Sequence, residues 1–350
     1  MEHLQLRITN TRQETPESKT FFVEEVNKRK ISYRAGQFLT LLVDLHNKEV
    51  RRSYSISSTP GVDEDLFFTI KRIENGELSR YLFDELQVDD IITSLPPSGR
   101  FTIQNAESKV AVFIAAGSGV TPVFSLIKHL LHFVKETNIL LINQNHSEYN
   151  SIFRSELMSL ATRYPNRFTL KEIFSHPVDH AIPARRLNNN LLENILLQEL
   201  NTSSAKFYLC GPESFMRMVQ FTLKVMKFGQ EMIRQENFFA IPPPPPFLLD
   251  KKPHNVTIHF RDKVHQLEVA YPSSILDAAI KKQIQLPYSC KGGRCSTCTA
   301  RCISGSVKMT INDVLTPQDL QQGLILTCVS YPETDVELTY SPPGADEELS

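Results

Sequence analysis

Five consecutive prolines, Pro242–Pro246, interrupt the chain and predict a boundary between domains. Proline fixes φ and lacks a backbone N–H, so this run cannot form an internal helix or a central strand. The segment 242–252 is therefore predicted to be a linker, with a stiff polyproline II spacer of roughly 15 Å, at about 3.1 Å per residue. The alternative is a ligand for a proline-binding partner.

Composition excludes several classes of protein. The 38 Lys and Arg residues balance 39 Asp and Glu, and this near neutrality argues against nucleic acid as a partner. No apolar run approaches the roughly 18 residues that span a bilayer, and the charged N-terminus is unlike a signal peptide. The expected protein is cytoplasmic, with no membrane partner.

Two different sequence patterns precede the linker. Residues 1–104 contain alternating, β-rich runs at 38–45, 53–58 and 66–73, which predict a small antiparallel β-barrel. Residues 105–241 alternate short apolar strands with helical periodicity, which predicts a parallel sheet covered by helices. Nucleotides bind such sheets at the carboxyl ends of the strands. The predicted strands are 110–115, 139–143, 168–173 and 207–210, and the predicted helices are 122–134, 151–163, 187–199 and 212–227.

Residues 253–350 form a third predicted domain, which begins with a hairpin of strands 256–260 and 265–271. Ser274 is the predicted N-cap of a helix. The acidic end, 346–348, is expected to be a frayed tail.

The cysteines after this helix carry the most specific signal in the chain. Cys290, Cys295 and Cys298 have the spacing CxxxxCxxC, and Cys328 follows at a distance. This is the plant-type spacing for a 2Fe-2S cluster, and Gly292 and Gly293 permit the tight loop that brings three thiolates together. Structural zinc is the alternative, but the second CxxC-like knuckle of most zinc modules is missing.

Another cysteine, Cys302, follows in a predicted strand. It is expected to be a buried thiol without a function.

Two motifs in the barrel region suggest a flavin. In Arg52-Ser53-Tyr54-Ser55, the arginine can pair with a diphosphate, the tyrosine can cover an aromatic ring and the second serine can bond to a ring heteroatom. Gly76-Glu77-Leu78-Ser79 is predicted to open a helix capped by Ser79, and a helix N-terminus near a glycine binds anions. Either motif alone is weak, because RxYS also occurs in ordinary strands.

A glycine-rich turn follows the first strand of the parallel sheet. Gly117 and Gly119 can bring backbone amides close to a pyrophosphate, while Thr121 is predicted to cap the next helix and Pro122 to occupy its first position. Ser118 lies between the glycines. A turn without a ligand is the alternative.

Three further residues lie at a carboxyl end of the same sheet. Cys210, Gly211 and Pro212 close its last predicted strand. An isolated cysteine is more often a buried apolar residue than a functional one. Composition alone makes Glu236, before the linker, an ordinary surface charge.

Together and in this order, these motifs resemble the ferredoxin-NADP reductase family fused to a C-terminal plant-type ferredoxin domain. The resemblance implies a Greek-key β-barrel for FAD, an α/β domain for NAD(P)H and a β-grasp domain for the 2Fe-2S cluster. It also implies an oxidoreductase that transfers electrons from NAD(P)H to an oxygenase. The run CKGGRCSTCTARCISGSVKM is particularly similar to reductase components of phenylacetyl-CoA epoxidases, which act in phenylacetate catabolism.

The resemblance also implies roles for individual residues. Ser55, Cys210 and Glu236 would assist hydride transfer, with Ser55 near the flavin N5 and Cys210 beside the nicotinamide. Cys290, Cys295, Cys298 and Cys328 would bind the cluster. The flavin site would comprise Arg52, Tyr54, Ser55, Ile70, Lys71, Gly76, Leu78 and Ser79. The coenzyme site would comprise Gly117, Ser118, Gly119, Thr121, Pro122, Asn145, His146, Ser147, Gly211 and Pro212.

One position departs from the family pattern. Asn145-His146 stands where the family often has Asn-Arg, whose guanidinium favours the 2′-phosphate of NADPH. Histidine is a weaker, pH-dependent partner for an anion, although Ser147, Arg185 or Arg186 could compensate. NADPH is therefore expected, with NADH as the alternative.

The surroundings of the cluster loop and the class of activity give two further expectations. Lys291, Arg294 and Arg301 predict a basic rim that meets an acidic protein acceptor. The alternatives are a reductase of another oxygenase or hydroxylase and, instead of an enzyme, a redox sensor whose flavin does not turn over.

Overall fold

The computed structural model describes residues 3–103, 109–200, 205–238, 243–247 and 251–340. They form two compact units that divide near residue 238. Residues 243–247 are neither helix nor strand. The predicted boundary at 104/105, linker residues 242 and 248–250, and the acidic end lie outside the described residues. Among those described, no helix combines the length and apolar character needed to cross a membrane.

The first sheet confirms the antiparallel prediction. Its six strands have the order β4-β3-β6-β1-β2-β5, and a bridge between Ile56 and Phe68 joins its two edges. The alternating residues of β2 point into a core in which Phe21 stacks on Phe68 at 5.7 Å. The elements are β1 (Leu4–Thr15), β2 (Ser18–Glu25), β3 (Phe38–Leu45), β4 (Lys48–Ser55), β5 (Leu66–Lys71), α1 (Glu77–Glu85) and β6 (Ile91–Ser98).

The second sheet is parallel, with the order β11-β10-β7-β8-β9. From β7 the chain adds β8 and β9 on one side of the sheet, and it then adds β10 and β11 on the other side. The direction in which strands are added therefore reverses between β7 and β10. Ligands of open α/β sheets bind at such a reversal. The elements are β7 (Val110–Ala116), α2 (Val120–Phe133), β8 (Asn138–Asn145), α3 (Arg154–Arg163), β9 (Phe168–Phe174), α4 (Asn189–Glu199), β10 (Ala205–Cys210), α5 (Glu213–Val225) and β11 (Ile233–Glu236).

The four predicted strands of this sheet are confirmed, and the fifth, β11, was not predicted. It has only four residues, and its sequence IRQE lacks an apolar run. Parallel pairing with β10, from Phe207–Ile233 to Cys210–Glu236, holds it in the sheet.

Helix α2 connects the two sheets of this unit. The Ser125 hydroxyl donates to the carbonyl of Ser58 at 2.6 Å. The buried ammonium of Lys128 pairs with Asp63 and lies over the rings of Phe67 and Phe124, at 4.9 and 4.2 Å from their centroids. These contacts hold the middle of α2 against β5 and the segment between β4 and β5. The glycine-rich turn leads directly into the same helix.

The second unit contains a mixed five-stranded sheet with the order β13-β12-β18-β14-β16. Strands β12 and β18 are parallel, and the other pairs are antiparallel. The Ser274 hydroxyl accepts from the amide of Asp277 at 3.2 Å, which confirms the predicted cap of α6. The elements are β12 (His254–Phe260), β13 (Lys263–Val269), α6 (Ile275–Lys281), β14 (Thr299–Ser304), β15 (Val307–Met309), α7 (Pro317–Gln321), β16 (Leu324–Leu326), β17 (Ser330–Pro332) and β18 (Val336–Tyr340).

Replacing Asp63 by alanine should destabilise the first unit, because it leaves the buried Lys128 ammonium without its carboxylate. Breaking a fully buried pair costs about 3–5 kcal/mol, and the partly exposed Asp63 reduces this to about 2–3 kcal/mol in the free energy of unfolding. Urea titrations followed by circular dichroism measure it.

The loss should shrink as pH rises from 7 to 10. Burial already lowers the pKa of Lys128, and removing Asp63 lowers it further, so the unfolded chain binds more protons and folding gains from alkali. Asp65→Ala is the matched control at an exposed carboxylate. A similar loss in both variants would contradict the assignment.

Candidate functional site

The four predicted cluster ligands lie in one region of the second unit. Their thiols contact one another: hydrogen bonding couples Cys290 to Cys295 and Cys328, and Cys328 also to Cys298. Cys298 and Cys328 are buried in the core, whereas Cys290 and Cys295 are half-buried. The quartet therefore lies at the edge of the core, with one side toward solvent.

The conformation of the cysteine loop explains why residue 293 is a glycine. Gly293 has φ of +70°, and a Cβ there would meet Ile311 Cγ2 at 2.6 Å. Lys291 and Ser296 also occupy the left-handed region, at φ 53° and 57°. The chain thus curls tightly around the thiols.

Backbone amides point at the sulfur atoms, as a bound anionic cluster requires. The amide of Gly292 donates to Cys290 Sγ at 3.3 Å, and that of Cys290 donates to Cys295 Sγ at 3.4 Å. Hydrogen bonds from the Cys295 and Cys328 thiols, and then from the amides of Gly292 and Arg294, lower the pKa of Cys290. The same contacts act in the opposite direction on their partners and raise the pKa of Cys295 and Cys328.

Structural zinc is held by four Cys or His ligands, with Zn–S distances of about 2.3 Å. In the described part of the chain, no group of three or more His, Cys, Asp or Glu side chains has the geometry to hold a metal ion. The spacing CxxxxCxxC with a distant fourth cysteine therefore remains the argument for a 2Fe-2S cluster.

Two of the three cations of the predicted basic rim have acidic partners. Lys291 Nζ lies 3.6 Å from Asp277, and Arg294 Nε lies 3.2 Å from Asp313. Neither pairing was visible in the sequence, since each joins separate segments. The acidic acceptor for this rim stays a prediction.

Cys302 also differs from expectation. It is half-buried rather than buried, and its thiol donates to the carbonyl of Ser304 at 3.4 Å. It lies outside the coupled quartet.

In the first sheet, Ser55 ends β4 and is paired with Phe38. Its hydroxyl is buried and has no hydrogen-bond partner among the described residues. Tyr54 is half-buried, and burial raises the pKa of its phenol. Arg52 is exposed, with Nη1 donating to the carbonyl of Arg51 at 2.7 Å. A buried hydroxyl without a hydrogen bond is costly, so Ser55 fits a bound group with a polar atom.

Helix α1 begins as predicted, but Ser79 does not cap it. The N-cap is Gly76, whereas the Ser79 hydroxyl accepts from the amide of Ile73 at 3.2 Å and donates to the carbonyl of Gly76 at 3.1 Å. Ser79 thus closes the turn before the helix and leaves its first amides for an anion. Of the neighbouring candidates, Ile70 and Leu78 are buried, and Lys71 lies 3.7 Å from Glu17.

The glycine-rich turn has two differently constrained glycines. Gly117 has φ of +56° and open space at its Cβ position, while a Cβ at Gly119 would overlap the carbonyl of Cys210. The first glycine offers room to a ligand, and the second permits the close approach of β10.

The capping predictions for α2 were wrong. Gly119 is the N-cap, so Thr121 and Pro122 lie inside the first turn. The Thr121 hydroxyl donates to the carbonyl of Ser118 at 2.9 Å instead of accepting from an amide. The first amides of α2 have no side-chain cap, an arrangement suited to a pyrophosphate.

Cys210 and Glu236 lie side by side, because they are partners in the parallel register of β10 and β11. Burial raises the pKa of Glu236 to about 8, and Oε2 has no hydrogen-bond partner within the described ranges. Burial, and then the Glu236 carboxylate, raise the pKa of Cys210. Both groups are therefore neutral at pH 7. The described contacts include no hydrogen bond from Ser55 to either.

The residues after Cys210 continue the edge of the crevice. Gly211 is buried, and a Cβ there would meet the ring of Phe215 at 2.9 Å. Pro212 is exposed and is the N-cap of α5.

The other side of this edge holds the Asn145 group at the end of β8. Asn145 is buried, with Nδ2 donating to Ser151 Oγ at 3.1 Å, and Ser147 Oγ donates to Asn150 at 2.7 Å. His146 is exposed, and its ring contacts that of His176 at 4.4 Å. Sequence reasoning missed the paired ring of His176, because it comes from another loop.

A second missed residue is Asn143. It is fully buried, and neither atom of its amide has a hydrogen-bond partner in the residues described. It pairs with Ala115, whose other neighbour is Cys210. A polar residue within the apolar run ILLINQN was the available signal.

Comparison with known protein families agrees with the three predicted domains. The chain matches the oxidoreductase FAD-binding domain over residues 5–103, the oxidoreductase NAD-binding domain over 113–220 and the 2Fe-2S iron-sulfur cluster binding domain over 258–333. Each match falls within one predicted domain, whose boundaries remain predictions.

Similarity to individual proteins extends over almost the whole chain. The ferredoxin reductase component of 3-ketosteroid-9-alpha-monooxygenase from Mycobacterium tuberculosis is 30% identical, covering 96% of both chains. The chain belongs to the ferredoxin-NADP reductase family with a C-terminal ferredoxin domain. One component of the 1,2-phenylacetyl-CoA epoxidase from Escherichia coli is 31% identical over 93% of both chains. The solved structure of phthalate dioxygenase reductase shares the fold, with a TM-score of 0.61, 20% identity and 97% coverage of both chains.

This ferredoxin reductase is an oxidoreductase that uses FAD, a 2Fe-2S cluster and NAD(P)H. FAD, the 2Fe-2S cluster and NAD(P)H are confirmed, while the preference for NADPH over NADH stays a prediction.

Replacing Cys298 by serine should remove the visible iron-sulfur absorption, because three thiolates cannot complete the coordination of both irons. Iron content and the visible spectrum measure this loss. Cys302→Ser is the matched control and should retain the full iron content. Equal iron loss in both variants would contradict the ligand assignment.

Replacing Glu236 by glutamine should stabilise the protein as pH rises. The folded pKa of about 8 lies above the usual 4.5, so the wild type loses stability between these values as the unfolded carboxylate ionises. The difference in thermal midpoint should be small at pH 5 and reach several degrees at pH 8. The exposed Glu193→Gln serves as control, and a pH-independent difference would contradict the buried acid.

Proposed function

We propose that this protein is the reductase component of a multicomponent oxygenase. The observation that carries the proposal is full-length similarity to proteins of that kind: the 3-ketosteroid monooxygenase component at 96% coverage and the epoxidase component at 93%. The relatives match all three domains together, so the likeness concerns the whole electron chain.

When bound, NAD(P)H would supply a hydride, FAD would convert the electron pair into single electrons, and the 2Fe-2S cluster would carry one electron at a time. The protein's own contribution is to hold these groups and control protons and water. Tyr54 would cover the flavin ring, the Ser55 hydroxyl would bond to one of its heteroatoms, and the N-terminus of α1 would receive its diphosphate. The unpartnered Ser55 hydroxyl supports this assignment.

Cys210 and Glu236 form the wall of the hydride-transfer site. Their raised pKa values keep both groups protonated at neutral pH. A neutral thiol does not attack the electrophilic nicotinamide ring, and the acid holds a proton at a buried carboxyl oxygen. Gly117, Gly119 and the uncapped amides of α2 receive the coenzyme pyrophosphate.

The proposed partner is the oxygenase component of a phenylacetyl-CoA epoxidase. The 31% identity to the epoxidase component from Escherichia coli supports it, as does the cysteine loop CKGGRCSTCTARC. The 3-ketosteroid monooxygenase and glycine betaine monooxygenase reductases, at 30% and 28%, give the competing partners.

Reconstitution with purified oxygenase components distinguishes these partners. The oxygenase component of the epoxidase should support NAD(P)H oxidation that depends on phenylacetyl-CoA and oxygen, while the other two oxygenases with their substrates should not. Coupling to another oxygenase alone would overturn the epoxidase assignment. Absence of steady reduction of cytochrome c would contradict the enzyme and favour a sensor.

Replacing Ser55 by alanine should slow flavin reduction by on the order of 100-fold, because a preorganised hydrogen bond to the reacting ring is lost. Anaerobic stopped-flow with NADPH measures the rate, and flavin content should be retained. Ser53→Ala is the control, since that hydroxyl bonds to Thr40 at 3.1 Å. Equal rates in the wild type and Ser55→Ala would contradict the role.

A further inference from the structure

Four hydrogen-bonded side chains form a continuous line across the first sheet. The Ser57 hydroxyl lies 3.3 Å from that of Thr69, and the Thr69 hydroxyl lies 2.8 Å from that of Thr20. The Thr20 hydroxyl bonds to Oε1 of Glu14 at 2.6 Å. The three hydroxyl residues are buried, and the Glu14 side chain is only 6% exposed. We call these four side chains the hydroxyl chain.

Strand pairing explains why these hydroxyls meet. Thr20 and Thr69 are partners in the antiparallel register of β2 and β5, and side chains that stand opposite each other in such a pair interact directly. The adjacent partners, Phe21 and Phe68, point to the other face and pack in the apolar core of the sheet. The hydroxyl chain therefore lies on the face of the sheet opposite to that core.

The hydrogen bonds of the hydroxyl chain all point in one direction. A hydroxyl has a single proton to donate, and Thr20 gives its proton to the Glu14 carboxylate. Thr69 must then donate to Thr20, while Ser57 donates to Thr69. Hydrogen bonds aligned in this way strengthen one another. They allow a proton that arrives at Ser57 to leave at Glu14 by successive transfers.

The Glu14 end of the hydroxyl chain lies beside solvent. Glu14 lines an open cavity of about 600 Å³ between the turn that joins β1 to β2 and the start of α3. Arg12 bonds to Glu14 at 2.8 Å and to Glu156, which lines the same cavity, at 2.9 Å. Burial raises the pKa of Glu14, although the bonds from Thr20 and Arg12 act to lower it. The net rise favours transfer of a proton to this carboxylate, and the cavity lets water remove it.

The other end of the hydroxyl chain lies at the proposed flavin site. The antiparallel bridge between Ile56 and Phe68 places Ser55 across from Thr69, on the same face as Ser57. Opposite side chains in such a pair have Cβ atoms about 4.5–5.5 Å apart, so rotation of the Ser55 hydroxyl or one water molecule joins it to the chain. That hydroxyl is buried and has no partner among the described residues, so it is available for this role.

The proposed reaction leaves a proton to be removed. A hydride from NAD(P)H carries two electrons and one proton, and the 2Fe-2S cluster accepts electrons alone. When both electrons have left through the cluster, the proton remains in the flavin site and must reach solvent in every catalytic cycle. Because Ser55 is only 3% exposed, water at the surface does not collect this proton directly.

We propose that the hydroxyl chain is the exit path for this proton. The inference rests on the proposed function and adds the route that connects its flavin site to solvent. Ser55 accepts the proton from the flavin and passes its own proton to the hydroxyl chain. At each hydroxyl one O–H bond forms as another breaks, no electrons are transferred, and Glu14 finally releases a proton to water in the cavity.

Glu236 is the other acid near the proposed hydride-transfer site. Its pKa of about 8 keeps it protonated at pH 7, so it cannot take up a second proton there. Its Oε2 atom has no hydrogen-bond partner within the described residues. The hydroxyl chain is thus the better acceptor, and exit through Glu236 is the competing route.

Proton release can be measured separately from electron transfer. The intact protein, loaded with FAD and the cluster, is reduced anaerobically with one equivalent of NADPH and mixed with excess ferricyanide in weakly buffered solution at pH 7. A pH indicator reports the released proton, and ferricyanide absorbance reports the electrons. In the wild type, one proton should appear together with the second electron.

Blocking the middle of the hydroxyl chain should slow this step. Thr69→Val removes the hydroxyl and keeps the shape of the side chain, so the proton and the second electron should appear on the order of 100-fold more slowly. Flavin reduction by NADPH and loss of the first electron need no proton exit and should keep their wild-type rates. Thr69→Ser returns a hydroxyl and should restore the release.

The solvent end gives a second, independent test. Glu14→Gln keeps an acceptor for the bond from Thr20 but cannot take up a proton, so it should slow the release to a similar extent. Added formate, a small carboxylate that enters the adjoining cavity, should restore part of the rate. If Thr69→Val does not retain flavin, this variant at the cavity decides the question.

Thr40→Val is the matched control. Thr40 carries a buried hydroxyl of the same sheet, which bonds to Ser53 at 3.1 Å outside the hydroxyl chain. This variant should release its proton at the wild-type rate.

Three results would overturn the inference. One is proton release at the wild-type rate in both Thr69→Val and Glu14→Gln, and another is equal slowing in Thr40→Val. The third is slowing in Glu236→Gln alone, which would assign the exit to that acid. If NADPH does not reduce the flavin of the wild type, the proposed function itself fails, which differs from normal reduction followed by unhindered proton release.

Discussion

The close parallel pairing of β7 with β10 is the constraint on which the nucleotide crevice depends. It brings the carbonyl of Cys210 against the Cα of Gly119, where a Cβ would overlap. It also creates the reversal in strand order that opens the crevice. Ser125 and Lys128 of α2 bond to Ser58 and Asp63, which follow the strand that carries Ser55. These contacts hold the parallel sheet's crevice beside that strand.

Two buried polar groups without partners lie in regions proposed to bind ligands. Ser55 Oγ and Glu236 Oε2 are both buried and unpaired within the described residues. Such groups cost free energy when they are left unpaired, and proteins retain them where a ligand or a proton completes the bonding. The cysteine quartet follows the same logic, since its backbone amides point at sulfur rather than at carbonyl oxygen.

The fold and the meeting of the four cysteines were predictable because each depends on local pattern or spacing. Alternation of residues predicted the first sheet, strand–helix periodicity predicted the second, and the hydroxyl of Ser274 predicted the start of α6. The cap assignments failed at Ser79 and Thr121, because a hydroxyl near a helix start can bond backward to the preceding turn as well as forward to an amide.

The features that were not predicted depend on contacts between residues that lie far apart in the sequence. Strand β11 has too little apolar character to be recognised alone, and only its pairing with β10 explains why Glu236 is buried. The contact of His146 with His176 and the ion pair of Arg294 with Asp313 each join separate segments. No local pattern in the sequence reports such meetings.

The register of the parallel sheet has a consequence for how this protein can change. Glu236, Cys210, Ala115, Asn143 and Glu172 are successive partners across all five strands, in one row along the sheet. A one-residue slip of any strand would turn its side chain to the opposite face. Insertions in the connecting loops therefore leave this row of residues aligned. A single deletion inside a strand would move that strand's residue out of the row.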